Sequence, residues 1–225
     1  MSKIILIRHG KTYANENWIY CGQTDIPLSE NGRALIEEKR EMGLYPDIEG
    51  MNIVTSGMKR AEETLGLIYG AVEHLIDERV KEINFGDFEG KTYEQMKEDP
   101  EFLYWLDHKE THRPPRGESR ADMAKRVVEG FEEYAASGED TVLVIHGGPI
   151  VYIMQHLFPE ENKTYWDWHP DNGDGWILTI ENGKCVEREK LGIWRDEKFA
   201  EAFAAKMKKG FRVLDDKRTG TPKQE

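Results

Sequence analysis

Two histidines stand in similar local settings, Arg8-His9-Gly10 and His146-Gly147-Gly148, each directly after a short β-branched apolar run. In a parallel sheet the carboxyl ends of strands lie along one edge, where ligands bind, so the pair is placed to converge. The adjoining glycines let a ligand approach the backbone closely. Arg8 puts a guanidinium beside the first imidazole. Arg60, in Thr55-Ser56-Gly57-Met58-Lys59-Arg60, adds another near a helix start, where a side-chain cation and the helix dipole can act on one spot. A planar guanidinium suits bidentate phosphate recognition. Glu82 lies among apolar residues and glycines in the stretch 80–90, a setting in which a carboxyl group can serve as a general acid. Together these groups compose a phosphoryl transfer. Two arginines and one histidine hold a phosphate, a neutral histidine attacks phosphorus, and a carboxylic acid protonates the leaving oxygen.

The elements that must position these residues are legible in outline. Residues 3–7 read as a buried strand, 52–55 as a second, 74–83 as a third extended segment and 141–145 as the clearest strand of all. Between them, Ser29 caps a charged helix reaching about Met42. Met58, Ala61, Leu65, Ile68 and Val72 mark one apolar helix face, and Met123, Val127, Phe131 and Tyr134 mark a longer helix from near Glu118. Pro149 suits the first turn of a helix to about Leu157. Asn182-Gly183 between strand-like runs 176–180 and 184–188 is a strong hairpin signal. Alternating strands and helices predict an α/β protein: a three-layer α/β/α sandwich with a mostly parallel central sheet and a helical insertion near residues 93–116. One domain is expected over 1–192. A C-terminal helix (196–209) and polar tail complete 193–225.

Composition narrows the partners. The chain of 225 residues has 31 Lys+Arg against 43 Asp+Glu, a formal net charge of −12. That balance argues against nucleic acid, whose binding rests on neutralising phosphates with Lys and Arg. A small phosphorylated metabolite would need a local cationic pocket to overcome the repulsive overall field. No apolar run approaches a membrane span or a secretory signal. Cys21 and Cys185 form neither a disulfide framework nor a metal spacing, so the expectation is a reduced, cytoplasmic protein. A homodimer stays open.

At the residue level the likeness to a known family is specific. Arg8-His9-Gly10-Lys11-Thr12 with Asn15 resembles the RHGxT signature of the histidine phosphatase superfamily, the phosphoglycerate mutase-like fold. The resemblance continues through Cys21-Gly22-Gln23-Thr24-Asp25-Ile26-Pro27-Leu28-Ser29-Glu30-Asn31-Gly32, similar to the family's QGxxDxPLTxxG stretch. It also takes in residues 56–64, 82–90, 117–119 and 144–148. It implies His9 as a nucleophile forming a phosphohistidine, and Arg8, Arg60 and His146 as ligands of the phosphoryl oxygens. Glu82 would be the proton donor and then the base that activates water. Asn15, Lys11, Cys21, Gly22, Gln23, Thr24 and the Gly147 amide would contact substrate, with neither metal nor cofactor required. The chain departs from the common pattern at Lys11, where Glu is usual, at Cys21, where Gln is frequent, and at Ile145, where a small residue is usual.

The superfamily contains phosphatases and cofactor-dependent phosphoglycerate mutases. Phe85-Gly86-Asp87-Phe88-Glu89-Gly90-Lys91-Thr92 looks like the phosphatase version, so a phosphomonoesterase is expected and the mutase is the alternative. A rival of another class is a non-catalytic phosphate-binding or interaction protein on the same fold. Three other features invite a reading. Phe102, Tyr104 and Trp105 are expected to pack on the sheet rather than roof the pocket. His108 and His112 share the spacing of a metal-binding pair but lack its surrounding pattern. Trp166, Trp168, His169 and Trp176 are expected to form a satellite core under a loop.

Overall fold

The structure is a computed structural model that describes residues 1–191; the expected helix 196–209 and the polar tail lie outside the described residues. In chain order the elements begin with β1 (Ser2–Arg8), α1 (Tyr13–Glu16), α2 (Glu30–Glu41), β2 (Asn52–Thr55), α3 (Lys59–Tyr69) and β3 (Leu75–Ile76). They continue with α4 (Tyr93–Met96), α5 (Pro100–His108), α6 (Arg120–Ser137), β4 (Thr141–Ile145), α7 (Gly147–Leu157), α8 (Tyr165–Trp168), β5 (Gly175–Glu181) and β6 (Lys184–Leu191). The sheet runs β3-β2-β4-β1-β5-β6. β1, β2, β3 and β4 pair in parallel, while β5 runs antiparallel to both β1 and β6.

Both faces of the sheet are covered, giving the three layers expected. Ile4, Leu6, Leu143 and Ile145 face α6 and α7 through Met123, Val127, Ile150 and Met154. Ile5, Ile7, Val142 and Val144 face α2 and α3 through Ile36, Leu65 and Ile68. Strands buried on both faces read as continuous apolar runs, which is how 3–7 and 141–145 appear in the sequence.

Register matters more for function than topology. β1 and β4 pair with Arg8 opposite Ile145, so the residue after each strand, His9 and His146, leaves the sheet at the same level. Thr55 of β2 pairs with Val144, which brings Ser56 to the same edge.

The structure corrects several local expectations. The segment 74–83 keeps only Leu75 and Ile76 as strand, because Asp77 caps the next turn by accepting the Arg79 N–H (2.9 Å), and Val80 then turns into the core. α6 starts at Arg120 because Ser119 and Asp122 form a capping box, while Glu118 turns to Arg126. The insertion does not lie on the sheet. Phe102 and Trp105 are buried with Phe88 and Met96 in a cluster of their own, edged by Tyr20 and Phe85, while Tyr104 is exposed. The tryptophans divide: Trp168 and Trp176 belong to the main core, and Trp166 is exposed. His108 and His112 flank the Tyr104 ring at 4.2 and 4.8 Å between ring centres. The hairpin forms as expected, with Asn182 and Gly183 at φ 50° and 72°.

Trp105 is 1% exposed and contacts Tyr20, Phe85, Phe88 and Phe102. Trp105→Ala is expected to cost about 3–5 kcal/mol, as large-to-small changes in packed aromatic clusters do, and Tyr104→Ala under about 0.5 kcal/mol. Urea unfolding of the two variants checks the contrast; equal midpoints would refute it.

Candidate active site

His9 follows β1 and is 5% exposed. Its N–H donates to the Ile145 carbonyl (2.9 Å), continuing the ladder one residue past the strand. Its ring Nδ1 lies 2.6 Å from the Gly10 carbonyl. A carbonyl only accepts, so Nδ1 carries the proton and Nε2 is left with its lone pair. Gly10 in turn donates its N–H to Thr64 Oγ1 (2.9 Å), and a Cβ at Gly10 would meet Ile36 Cγ1 at 2.9 Å.

His146 caps α7 and is fully buried, its ring edge-on to that of His9 with centres 5.1 Å apart. Arg60 Nε donates to His146 Nδ1 (3.2 Å), so Nε2 carries the ring proton and donates to Ser56 Oγ (2.7 Å). Arg60 comes from the first turn of α3 and is 2% exposed. Its Nη1 donates to the Thr24 carbonyl (3.1 Å) and its Nη2 to the Gly22 carbonyl (2.5 Å). Arg8 Nη1 donates to the Pro170 carbonyl (2.8 Å), and Arg8 Nε is buried with no hydrogen-bond partner among the described residues.

Glu82 reaches the same place from a segment without regular structure. Its Oε1 accepts the Ile83 N–H (2.9 Å) and its Oε2 the Gly148 N–H in the first turn of α7 (3.1 Å). A Cβ at Gly148 would lie 2.2 Å from Oε1, so only glycine lets the carboxylate in. Its main-chain carbonyl accepts from Gln23 Nε2 (3.1 Å) and Arg126 Nη2 (3.0 Å).

The structure thus brings His9, His146, Arg8, Arg60 and Glu82 to one sheet edge. The other expected contacts are placed differently. The N–H groups of Gly22, Gln23 and Thr24 all turn to the carboxylate of Glu89, at 2.9–3.3 Å. That loop therefore offers its amides to Glu89 and its carbonyls to Arg60. Gly22 also has no room for a side chain, since a Cβ would meet the Ile83 carbonyl at 1.6 Å. Cys21 Sγ lies 3.6 Å from the Thr24 carbonyl, and burial pushes its thiol pKa up. Asn15 Oδ1 accepts from Thr12 in the capping box of α1. Lys11 is half-buried, and its carbonyl takes the Ser29 N–H (2.9 Å). Gly147 packs so tightly on His169 that a Cβ would fall 2.3 Å from its Nε2.

Sequence reasoning passed over Glu89, Ser56 and Arg126, and assigned His169 to a satellite core rather than to a place against Gly147. Glu89 stands inside a block the family likeness covers, so its place beside Gly90 was a usable signal. Ser56, Arg126 and His169 act through strand register and helix packing, which a sequence does not show.

Electrostatics match the geometry. Burial, then Arg60 and Arg8, hold the His9 imidazole well below its ordinary range, and the Gly10 carbonyl opposes this only in part. Burial, Arg60, His9 and Arg8 do the same to His146. Burial beside Arg8 lowers His169 to about 3. Both site imidazoles are therefore neutral near pH 7, as a nitrogen nucleophile requires.

A family model described as the histidine phosphatase superfamily (branch 1) matches residues 4–190. The chain belongs to that superfamily. It is 33% identical over 170 residues to a glucosyl-3-phosphoglycerate phosphatase of Mycobacterium tuberculosis, covering 69% of this chain and 74% of the relative. It is 31% identical over 176 residues to a 2,3-bisphosphoglycerate-dependent phosphoglycerate mutase of Gloeobacter violaceus, covering 72% and 79%. A solved mycobacterial glucosyl-3-phosphoglycerate phosphatase complexed with VO3 superposes with a TM-score of 0.68 at 24% identity, over 86% of this chain and 100% of that one, which shows the shared fold. The chain is accordingly a phosphoric monoester hydrolase of this superfamily.

The depressed imidazoles make stability pH-dependent. Unfolded histidine takes up a proton near pH 6.5 while buried His9 and His146 do not, so their contribution is present above that pH and lost as pH falls. Between pH 7.5 and 5.5 the two together should remove about 2–3 kcal/mol. His9→Gln/His146→Gln should lose that part of the acid slope in urea unfolding; an unchanged slope would show that the imidazoles are not held neutral.

Proposed function

We propose that this chain hydrolyses small phosphomonoesters through a phosphohistidine on His9. The observation that carries the reading is the His9 ring itself, with Nδ1 tied to the Gly10 carbonyl at 2.6 Å, Nε2 unprotonated, and Arg8, Arg60, His146 and Glu82 gathered around it. In the first half-reaction His9 Nε2 gives its lone pair to phosphorus and the bond from phosphorus to the ester oxygen breaks. Glu82, in its acid form, gives the leaving oxygen a proton. In the second, Glu82 takes a proton from water, whose oxygen attacks phosphorus. The P–N bond breaks, its electrons return to His9, and inorganic phosphate leaves.

Arg8, Arg60 and His146 hold the phosphoryl oxygens in this scheme. Arg8 brings a buried Nε–H with no protein partner among the described residues, which a phosphoryl oxygen would satisfy. His146 exchanges Ser56 for an oxygen at its Nε2–H. The Gly147 amide and Asn15 are auxiliary donors. The loop 21–24 acts mainly through Arg60, whose guanidinium it fixes. The substrate class is small phosphorylated metabolites, in a reduced cytoplasmic setting that suits free Cys21 and Cys185. Among the described residues no helix is long and apolar enough to cross a membrane.

The mutase alternative is supported by the mutase among the relatives. It predicts isomerisation of 3-phosphoglycerate when 2,3-bisphosphoglycerate is supplied. The phosphatase reading predicts hydrolysis without it.

With p-nitrophenyl phosphate and EDTA present, the chain should turn over. His9→Ala should lower kcat at least about 10⁴-fold, and Glu82→Gln about 10²–10³-fold, as loss of a nucleophile and of a general acid do. Folded protein without turnover across pH 5–8 would leave the non-catalytic phosphate-binding alternative standing.

A further inference from the structure

The loop 170–174, which joins α8 to β5, takes up the polar groups that β1 exposes as it leaves the sheet. The Asp174 carbonyl accepts the Arg8 N–H (2.8 Å), and the Gly173 N–H donates to the carbonyls of Arg8 (3.0 Å) and His9 (3.3 Å). Asn172 Nδ2 also donates to the His9 carbonyl (3.0 Å). That carbonyl belongs to the peptide unit whose N–H is Gly10's, and Gly10 donates to Thr64 Oγ1 (2.9 Å). The 9–10 peptide plane is thereby held at both ends. The next carbonyl, Gly10's, receives the His9 Nδ1–H. The direction of the nucleophilic nitrogen thus depends on a backbone unit that the loop helps to fix.

The loop is fastened from behind by residues that contribute nothing to the site itself. Lys39 of α2 is 3% exposed, and its Nζ donates to Asp174 Oδ1 (2.5 Å) and to the Asn172 carbonyl (3.3 Å). Tyr45 Oη donates to the Gly173 carbonyl (2.9 Å). Gly173 sits at φ +76°, and a Cβ there would meet Ile36 Cδ1 at 2.6 Å, so only glycine lets the loop press on α2. An ammonium out of water is tolerated only where its partners are in place, which ties the buried position of Lys39 to this one loop placement. Such a pair is weak evidence for stability, and its better-attested use is to select one arrangement over others.

We infer that Asn172, backed by the Lys39–Asp174 ion pair and Tyr45, is a positioning device for the nucleophile: the loop sets the 9–10 peptide plane and, through the Gly10 carbonyl, the aim of His9. The inference rests on the His9 reaction proposed above. None of these residues touches the reacting atoms. Their loss should therefore slow phosphoryl transfer without weakening capture of the ester.

Single-turnover release of p-nitrophenol from p-nitrophenyl phosphate, with the full chain in excess over substrate, separates the two effects. A merely destabilised protein needs more enzyme to reach the plateau but keeps the plateau rate constant. A misaimed nucleophile lowers the plateau itself. Asn172→Ala is expected to lower the plateau tenfold or more, with the half-saturating enzyme concentration within twofold of wild type. Tyr45→Phe, which deletes one hydroxyl and retains the ring, should lower it about threefold. Lys39→Met and Asp174→Asn should each lower it, and their combination should lower it by less than the product of the two, because both remove one ion pair. Plateaus within twofold of wild type in Asn172→Ala and Tyr45→Phe would overturn the inference; Tyr45→Phe decides if Asn172→Ala does not fold. A wild-type chain that releases no p-nitrophenol overturns the parent reading and this one with it, whereas active wild type with unaffected variants overturns this one alone.

Discussion

Burying a guanidinium takes a full charge out of water, and the cost is met only where its N–H groups find partners in place. Arg60 lies 2% exposed, and burial lowers its pKa against the opposing pull of nearby acids. Its Nε, Nη1 and Nη2 go to His146, Thr24 and Gly22, so the start of α7 and the loop 21–24 must both arrive at α3. Glu89 makes this feasible by taking the amides of the same loop, so the carbonyls of Gly22 and Thr24 turn the other way, toward the guanidinium. Much of the site can be read as the consequence of housing this one cation.

The same charge sets the state of the histidines. A buried and a half-buried guanidinium beside two buried imidazoles leave no room for further positive charge, and both rings are driven neutral. Hydrogen bonds then decide which nitrogen keeps its proton: a carbonyl at Nδ1 of His9 and an arginine at Nδ1 of His146 give the two rings opposite tautomers. Two residues of one type in similar sequence settings thereby acquire different chemistry. The net charge of −12 fits this arrangement. A chain whose overall field repels phosphate needs cations close to where the phosphate sits, and Arg8 and Arg60 lie together at one sheet edge.

Away from that edge, the helical insertion is held by its own aromatic cluster rather than by the sheet. An amphipathic pattern announces that a face is buried without naming what buries it. For that reason Phe102 and Trp105 were legible as core and their partners Phe88, Met96 and Tyr20 were not. The segment 74–83 illustrates the opposite case. Its composition suits a strand, yet one local bond from the Arg79 N–H to the Asp77 carboxylate ends the strand after Ile76.

By itself the sequence determined the strands that carry the two histidines, the helices that cover them, the hairpin at Asn182-Gly183, and the identity of His9, His146, Arg8, Arg60 and Glu82 as the groups worth watching. The elements follow from periodicity and turn chemistry and the two histidines with Arg8 from their place after strands, all of which are local, whereas Arg60 and Glu82 are singled out by the likeness to the family's motifs. Only the tertiary structure decided that Arg8 lies level with Ile145, that Glu82 rests on the Gly148 amide, and that Glu89, Ser56, Arg126 and the loop 170–174 hold the others in place. Those contacts join residues 44 to 166 positions apart, and no local pattern encodes which distant carbonyl a buried donor will meet. Lys39 is the clearest instance: on the page it is one more charge on a helix of charges, and in the fold it is the ammonium behind the loop that abuts His9.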